Sequence, residues 1–291
     1  MRAEARVVAC SDGGGGTRLA VLRGESPLLL RRTGPRTGAG VTVHLVGGAA
    51  GPLRGDELRL EIEVGPGAWL EFRSVAASLA LPGRSFLPAS RLTVTAAVAP
   101  GGTLRYLPEP LIAAAGCDHV ASTRVDVAEG GSLLWRDDLV CGRHREESGD
   151  VRADMTVRYG GTTVYRHELS VGPNAPGWSG AAVLGEGRAI GTVVAVGPGS
   201  GSTGSGSVGP GGGSAGPGGG SAGPGGGPGD AGTSAGRGGG GDAAVMPLAR
   251  GGVLVSAVGA DTRQVAAALD PWCAGESPRA ERDDPRPASH R

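Results

Sequence analysis

The chain contains no lysine; every basic side chain other than histidine is an arginine. A nucleotide-binding P-loop needs a lysine after its glycines, so GGGGTR at 13–18 is excluded from that role. The 28 basic residues are balanced by 28 acidic ones, and no basic stripe stands out. Nucleic acid and an anionic membrane surface are therefore not expected as partners. Cysteine is scarce too. Cys10, Cys117, Cys141 and Cys273 are widely spaced with no CxxC pair, which predicts free thiols and a cytoplasmic setting. No run of 18 apolar residues exists, so no membrane-spanning helix is expected. The opening MRAEARVVACSDGGGG lacks the apolar core that a signal peptide requires.

Glycine is in excess, at 58 of 291 residues. A helical bundle would not tolerate that load, since each interior glycine costs about 1 kcal/mol against alanine. Strands and turns would. In DELRLEIEV, Leu58, Leu60, Ile62 and Val64 share one face while Glu57, Arg59, Glu61 and Glu63 take the other. Passing through GPG into AWLEFRSV, this segment reads as a hairpin. Similar alternation runs through 41–46, 91–98, 122–127, 151–159, 162–171 and 189–196, with glycine or proline at nearly every join. The pattern predicts a mainly β fold: two packed sheets of many short strands, with one or two short helices. The clearest helix is TRQVAAALD, capped by Asp261 and stopped by Pro271. Residues 197–241 are almost pure Gly, Pro, Ser and Ala, with GPGGGSA twice in succession, and are expected to be a disordered insertion. The segment C-terminal to them holds only one strand and one helix, too little for a separate core. A single β domain over 1–273 is the expectation, interrupted at 197–241 and trailed by a disordered tail at 274–291.

Chemically equipped residues are few. Cys117, Asp118 and His119 are adjacent, and Cys141 and His144 form C-x-x-H. Thiolate, imidazole and carboxylate suit Zn²⁺, Ni²⁺ or Co²⁺. Against a metal site, neighbouring residues on a strand point to opposite faces. The alternative is a turn with a buried cysteine and an exposed histidine. GWSGA at 177–181 misses the G-x-S-x-G spacing of a nucleophile elbow, because its second glycine comes one position early, so Ser179 is not expected to be catalytic. Asp137 and Asp138, followed by Glu146, Glu147 and Asp150, could serve as a hydrolytic carboxylate pair, as a weak cation or partner contact, or simply as a solvated cluster.

Three segments together resemble the urease accessory protein UreD (UreH) family: LRGDELRLEIEVGPGAWLEFRSVAASLALPG (53–83), LRYLPEPLIAAAGCDHVASTRVDVAEGGSLLWRDDLVCGRHREESGD (104–150) and ARGGVLVSAVGADTRQVAAALDPW (249–272). In the second, Glu109 is flanked by prolines after an aromatic-apolar strand, and Gly142-Arg143 closes the next strand. The resemblance implies a non-catalytic chaperone of two-sheet fold that binds UreF, reaches the GTPase UreG through it, and docks on apo-urease. It also implies transient passage of Ni²⁺ with no tightly bound cofactor. A conduit calls for polar, mostly oxygen ligands of modest affinity, and Glu109, Asp137, Asp138 and Glu147 are the candidates for lining such a path. SVAASLAL (74–81) departs from the family's glutamine-rich segment, and Cys117, His119, Cys141 and His144 match none of its patterns. Two rival readings are a hydrolase using the 137–150 carboxylates and a structural β-sandwich interaction protein.

Overall fold

The computed structural model describes residues 1–34, 39–198, 200 and 243–274. The expected insertion and tail therefore lie almost wholly outside the described residues. Strand after strand, the chain crosses between two sheets. The hairpin β1 (Arg2–Ser11) and β2 (Thr17–Gly24) starts the first sheet; the hairpin β3 (Leu28–Thr33) and β4 (Val41–Gly47) starts the second. Next β5 (Glu57–Val64) joins the first sheet and β6 (Trp69–Ser74) the second, with the short β7 (Ser78–Ala80) after them. The cycle repeats with β8 (Ser90–Val98), β9 (Thr103–Leu107) and short β10 (Leu111–Ala113), then again with β11 (Asp118–Val127) and β12 (Ser132–Cys141). β13 (Asp150–Tyr159) and β14 (Thr162–Val171) complete the first sheet. β15 (Ala189–Val196), β16 (Ala243–Pro247) and β17 (Val253–Gly259) complete the second, and α1 (Thr262–Cys273) closes the described chain. The two-sheet, mainly β expectation is met.

The expected hairpin at 57–74 is not. β5 pairs in parallel with β1 and β8, while β6 pairs in parallel with β4 and β9 in the other sheet. The turn explains why. Gly65-Pro66-Gly67-Ala68 has proline at its second position, positive φ at Gly67, and a 3.2 Å bond from the Ala68 N–H to the Gly65 carbonyl. Proline fixes φ near −65°, which rules out the primed turns that close two-residue hairpins. Instead the turn carries the chain across to the facing sheet. It recurs at 99–102 and 128–131, with Gly101 and Gly130 again at positive φ. The copies stack: the Gly101 N–H donates to the Gly130 carbonyl at 3.0 Å. Each sheet thus gains a parallel centre without helical crossovers, because the other sheet provides the return path.

Alternation then sets the core. Leu58, Leu60, Ile62 and Val64 of the first sheet meet Leu70, Phe72, Leu104 and Trp135 of the second between the two layers. A separate apolar layer lies on the outer face of the second sheet, where Val265, Ala268 and Leu269 of α1 cover Val193, Val255 and Ala257. Asp261 caps that helix by accepting from the N–H groups of Arg263 and Gln264 at 2.9 and 3.0 Å. Gly191 permits the close approach, because a Cβ there would come within 2.6 Å of both Val265 and Leu269. The helix continues past Pro271, contrary to the expected stop. A proline lacks only its own N–H, and this near the C-terminus the Ala274 N–H still reaches the Asp270 carbonyl at 3.0 Å.

Candidate functional site: a carboxylate cavity between the sheets

β12 presents Leu133, Trp135, Asp137, Leu139 and Cys141 toward the first sheet, and Leu134, Arg136, Asp138 and Val140 toward α1. The neighbouring carboxylates of Asp137 and Asp138 therefore part to opposite faces, as the pleat requires. Asp137 enters a cavity of about 110 Å³ between the sheets, lined also by Thr123, Met155, Tyr165, His167 and Thr192. That space has room for several waters. One direct partner orients the carboxyl: the Trp135 indole N–H donates to it at 2.7 Å. Trp135 is itself fixed by stacking. Its ring lies 3.7 Å from Tyr106, which stacks 5.2 Å from Phe72, a ladder formed by register partners on β12, β9 and β6. In a chain only 3% aromatic, this places three of the few large rings beside one carboxylate.

No salt bridge among the described residues engages Asp137. Burial pushes its carboxyl up to about 7, a rise that the Trp135 bond opposes and the neighbouring Asp138 charge reinforces. Tyr165 is pushed up to about 12 by burial and then by the Asp137 charge, which puts its hydroxyl within electrostatic reach. A buried carboxyl pushed up in this way, in no salt bridge among the described residues, has the chemistry to take either a proton or a positive ion.

Asp138 lies in a different environment. Arg136 grips it through Nη2 at 2.7 Å and Nε at 2.9 Å, and reaches Asp270 of α1 at 2.6 Å. Burial raises the Asp138 carboxyl, opposed by Arg136. Its outer side belongs to a groove of about 670 Å³ shared with Arg73, Glu109, Arg136, Asp270 and Cys273. Glu109 is exposed on that groove, with its backbone N–H held by Ser74 Oγ at 2.9 Å. Glu147 lines neither space and is exposed in the loop after β12. Of the four path candidates, then, Asp138 and Glu109 share the outer groove, Asp137 faces the cavity (which Asp138 also borders), and Glu147 stands apart.

Met155, Tyr165, His167, Thr123 and Thr192 carry no signal in the sequence that marks them as site residues. Alternation in TTVYRHELSV does put Tyr165 and His167 on one face, but nothing local says that this face meets β12.

The cysteine and histidine pairs form no shared site. Cys117 and Cys141 are buried, their thiols pushed by burial up to about 12 and about 11, so they stay protonated rather than ligating. Among the described residues no group of three or more His, Cys, Asp or Glu side chains is placed to hold a metal ion. Asp118 pairs with Arg54 at 2.8 Å, and Ser179 is exposed in the turns between β14 and β15. His119 corrects one expectation, because it is 1% exposed, not a surface residue. Ser90 Oγ donates to the Asp118 carbonyl at 3.2 Å and contacts His119 Nδ1 at 2.9 Å. In either tautomer, Nε2 is left buried without a hydrogen-bond partner.

Burial depresses His119 to about 4 from 6.5. Below pH 6.5 the unfolded chain gains a proton that the folded chain refuses until near pH 4, so stability falls across that window. The loss is on the order of 3 kcal/mol at 1.36 kcal/mol per unit. In His119→Leu that part of the acid slope should vanish, as urea titrations at pH 7 and pH 5 would reveal. An unchanged slope would show that His119 is solvated.

Comparison with known proteins decides the family. A family model described as UreD urease accessory protein matches residues 1–287. The chain belongs to the UreD family. Curated relatives carry the same description. A urease accessory protein UreD of Streptomyces avermitilis is 48% identical over 199 residues, covering 68% of this chain and 78% of its own length. Urease accessory protein UreD 3 of Streptomyces griseus is 39% identical over 272 residues, covering 93% of this chain and 95% of its own. The Streptomyces coelicolor protein is 46% identical over 200 residues, covering 68% of this chain and 78% of its own. UreD membership implies a role in urease maturation and agrees with the reading of the chain as a non-enzyme, since these relatives are named accessory proteins. No helix among the described residues is long and apolar enough to cross a membrane.

Proposed function

We propose that this chain is a urease-maturation chaperone through which Ni²⁺ passes on its way into apo-urease. It acts in the cytoplasm in a complex with UreF and, through UreF, with the GTPase UreG. The observation that carries the reading is the Asp137 cavity between the two sheets: a buried carboxylate in no salt bridge among the described residues, with Asp154 (bonded by Ser122) and the Arg136-paired Asp138 also on the lining, beside hydroxyl, imidazole and thioether groups. The cavity's chemistry suits transit. A tight site would need three or four converging ligands, and their off-rates would stall delivery. Asp138 and Glu109 serve the approach from the outer groove, where Arg136 restrains the Asp138 charge. Glu147, exposed on its loop, serves capture or partner contact.

Co-expression with a UreF-type protein tests the scaffold half of this reading. A soluble complex is expected, and together with UreG it should restore urease activity in cells deleted for their own UreD. If both proteins fold but never co-purify, the scaffold role fails; if urease matures equally without this chain, the whole reading fails.

A further inference from the structure

A carboxylate alone discriminates poorly between Ni²⁺ and the far more abundant Mg²⁺, because both accept oxygen ligands. If the cavity passes nickel, the reading on which this inference rests, selectivity must come from other donors on the route. His167 and Met155 are register partners across β13 and β14. Both line the cavity that holds Asp137. β14 is the edge strand of the first sheet, and His167 is exposed, so its imidazole stands where the cavity opens to solvent. Tyr165, two residues earlier on the same face, stacks against it at 6.1 Å and 20° between planes, which restricts the ring. The other described histidines are engaged differently: His44 bonds Thr33, His119 is buried against Ser90, and His144 stands on an exposed loop.

We propose that His167, with the Met155 thioether beside it, is the selectivity element at the mouth of the Asp137 cavity. Imidazole nitrogen binds first-row transition ions well and hard alkaline-earth ions poorly, and a thioether offers nothing to Mg²⁺ or Ca²⁺. Ni²⁺ and Co²⁺ are admitted past this pair to the carboxylate, while Mg²⁺ keeps its water and is left outside. His167 and Asp137 act as successive stops and not as a joint cage, in keeping with the lack of a three-residue cluster among the described residues.

The test is equilibrium dialysis of the full chain, alone and with its UreF-type partner, against Ni²⁺ with and without excess Mg²⁺. His167→Gln should lower Ni²⁺ retention under Mg²⁺ competition by about tenfold, and Met155→Leu by a smaller factor. Thermal midpoint and partner binding should stay unchanged in both. His144→Gln is the control and should behave as the parent. Co²⁺ titrated into the parent should shift the His167 ring proton resonances before those of His144. Asp137→Asn separates the two readings. If it retains Ni²⁺ and matures urease normally, the conduit itself is wrong. If it fails while His167→Gln resists Mg²⁺ as well as the parent does, only the selectivity role is overturned.

Discussion

Asp137→Asn should yield a protein that is more stable than the parent above pH 7 yet at least tenfold poorer at maturing urease. The sign comes from the carboxyl's raised affinity for its proton, about 7 when folded against 3.8 ordinarily. Below pH 3.8 both folded and unfolded chains hold the proton and no penalty exists. As pH rises toward 7 the unfolded chain ionises first, so the cost of keeping this carboxyl buried builds up and is fully present above 7. At 1.36 kcal/mol per unit it is on the order of 4 kcal/mol, and asparagine removes it while still accepting from the Trp135 indole. Urea unfolding at pH 5 and pH 8 measures the first half, and urease activity in co-expressing cells the second. A variant less stable at pH 8, or one that matures urease at the parental rate, would falsify the assignment. Retention of a destabilising group is ordinary at functional positions, where activity and stability pull apart.

Trp135→Ala should cost about 3–5 kcal/mol of folding stability, the range for deleting a buried aromatic. Trp135 is 1% exposed and ends the Phe72–Tyr106–Trp135 ladder beside Asp137. Because that loss could unfold the protein outright, Trp135→Phe is the informative companion. Phenylalanine keeps a ring against Tyr106 but cannot donate to Asp137. Loss of that bond raises the carboxyl's proton affinity further, since the indole N–H favours its ionised form. The pH window in which stability declines should then extend upward in Trp135→Phe relative to the parent. An alanine variant losing under about 1 kcal/mol would mean the ladder contributes little to the core. An unmoved window in the phenylalanine variant would mean the indole does not tune the carboxyl.

Much of the architecture is legible in the residues themselves. Alternation in 57–64, 91–98, 151–159 and 162–171 marks strands that the structure contains, and Asp261 marks the start of α1. The hairpin expected at 57–74 carries its own correction in the sequence. VGPGAW, VAPGGT and VAEGGS recur at 64–69, 98–103 and 127–132, each with a glycine at the third turn position. Pro66 and Pro100 at the second position are incompatible with a tight hairpin, so this repeat is the signal of crossing between sheets.

The candidate site divides along the same line. Residue order alone determined that Asp137 and Asp138 point apart, because a pleated strand sends consecutive side chains to opposite faces. It likewise determined that Tyr165 and His167 point together. Only the tertiary structure decided that Asp137 turns inward and Asp138 outward, since that depends on which face of β12 the first sheet covers. It alone brought His167 and Met155, on two paired strands of the first sheet, against Asp137 on the facing sheet. The pleat is a local property of the backbone; the choice of buried face, and of what is met there, belongs to the packing of two sheets.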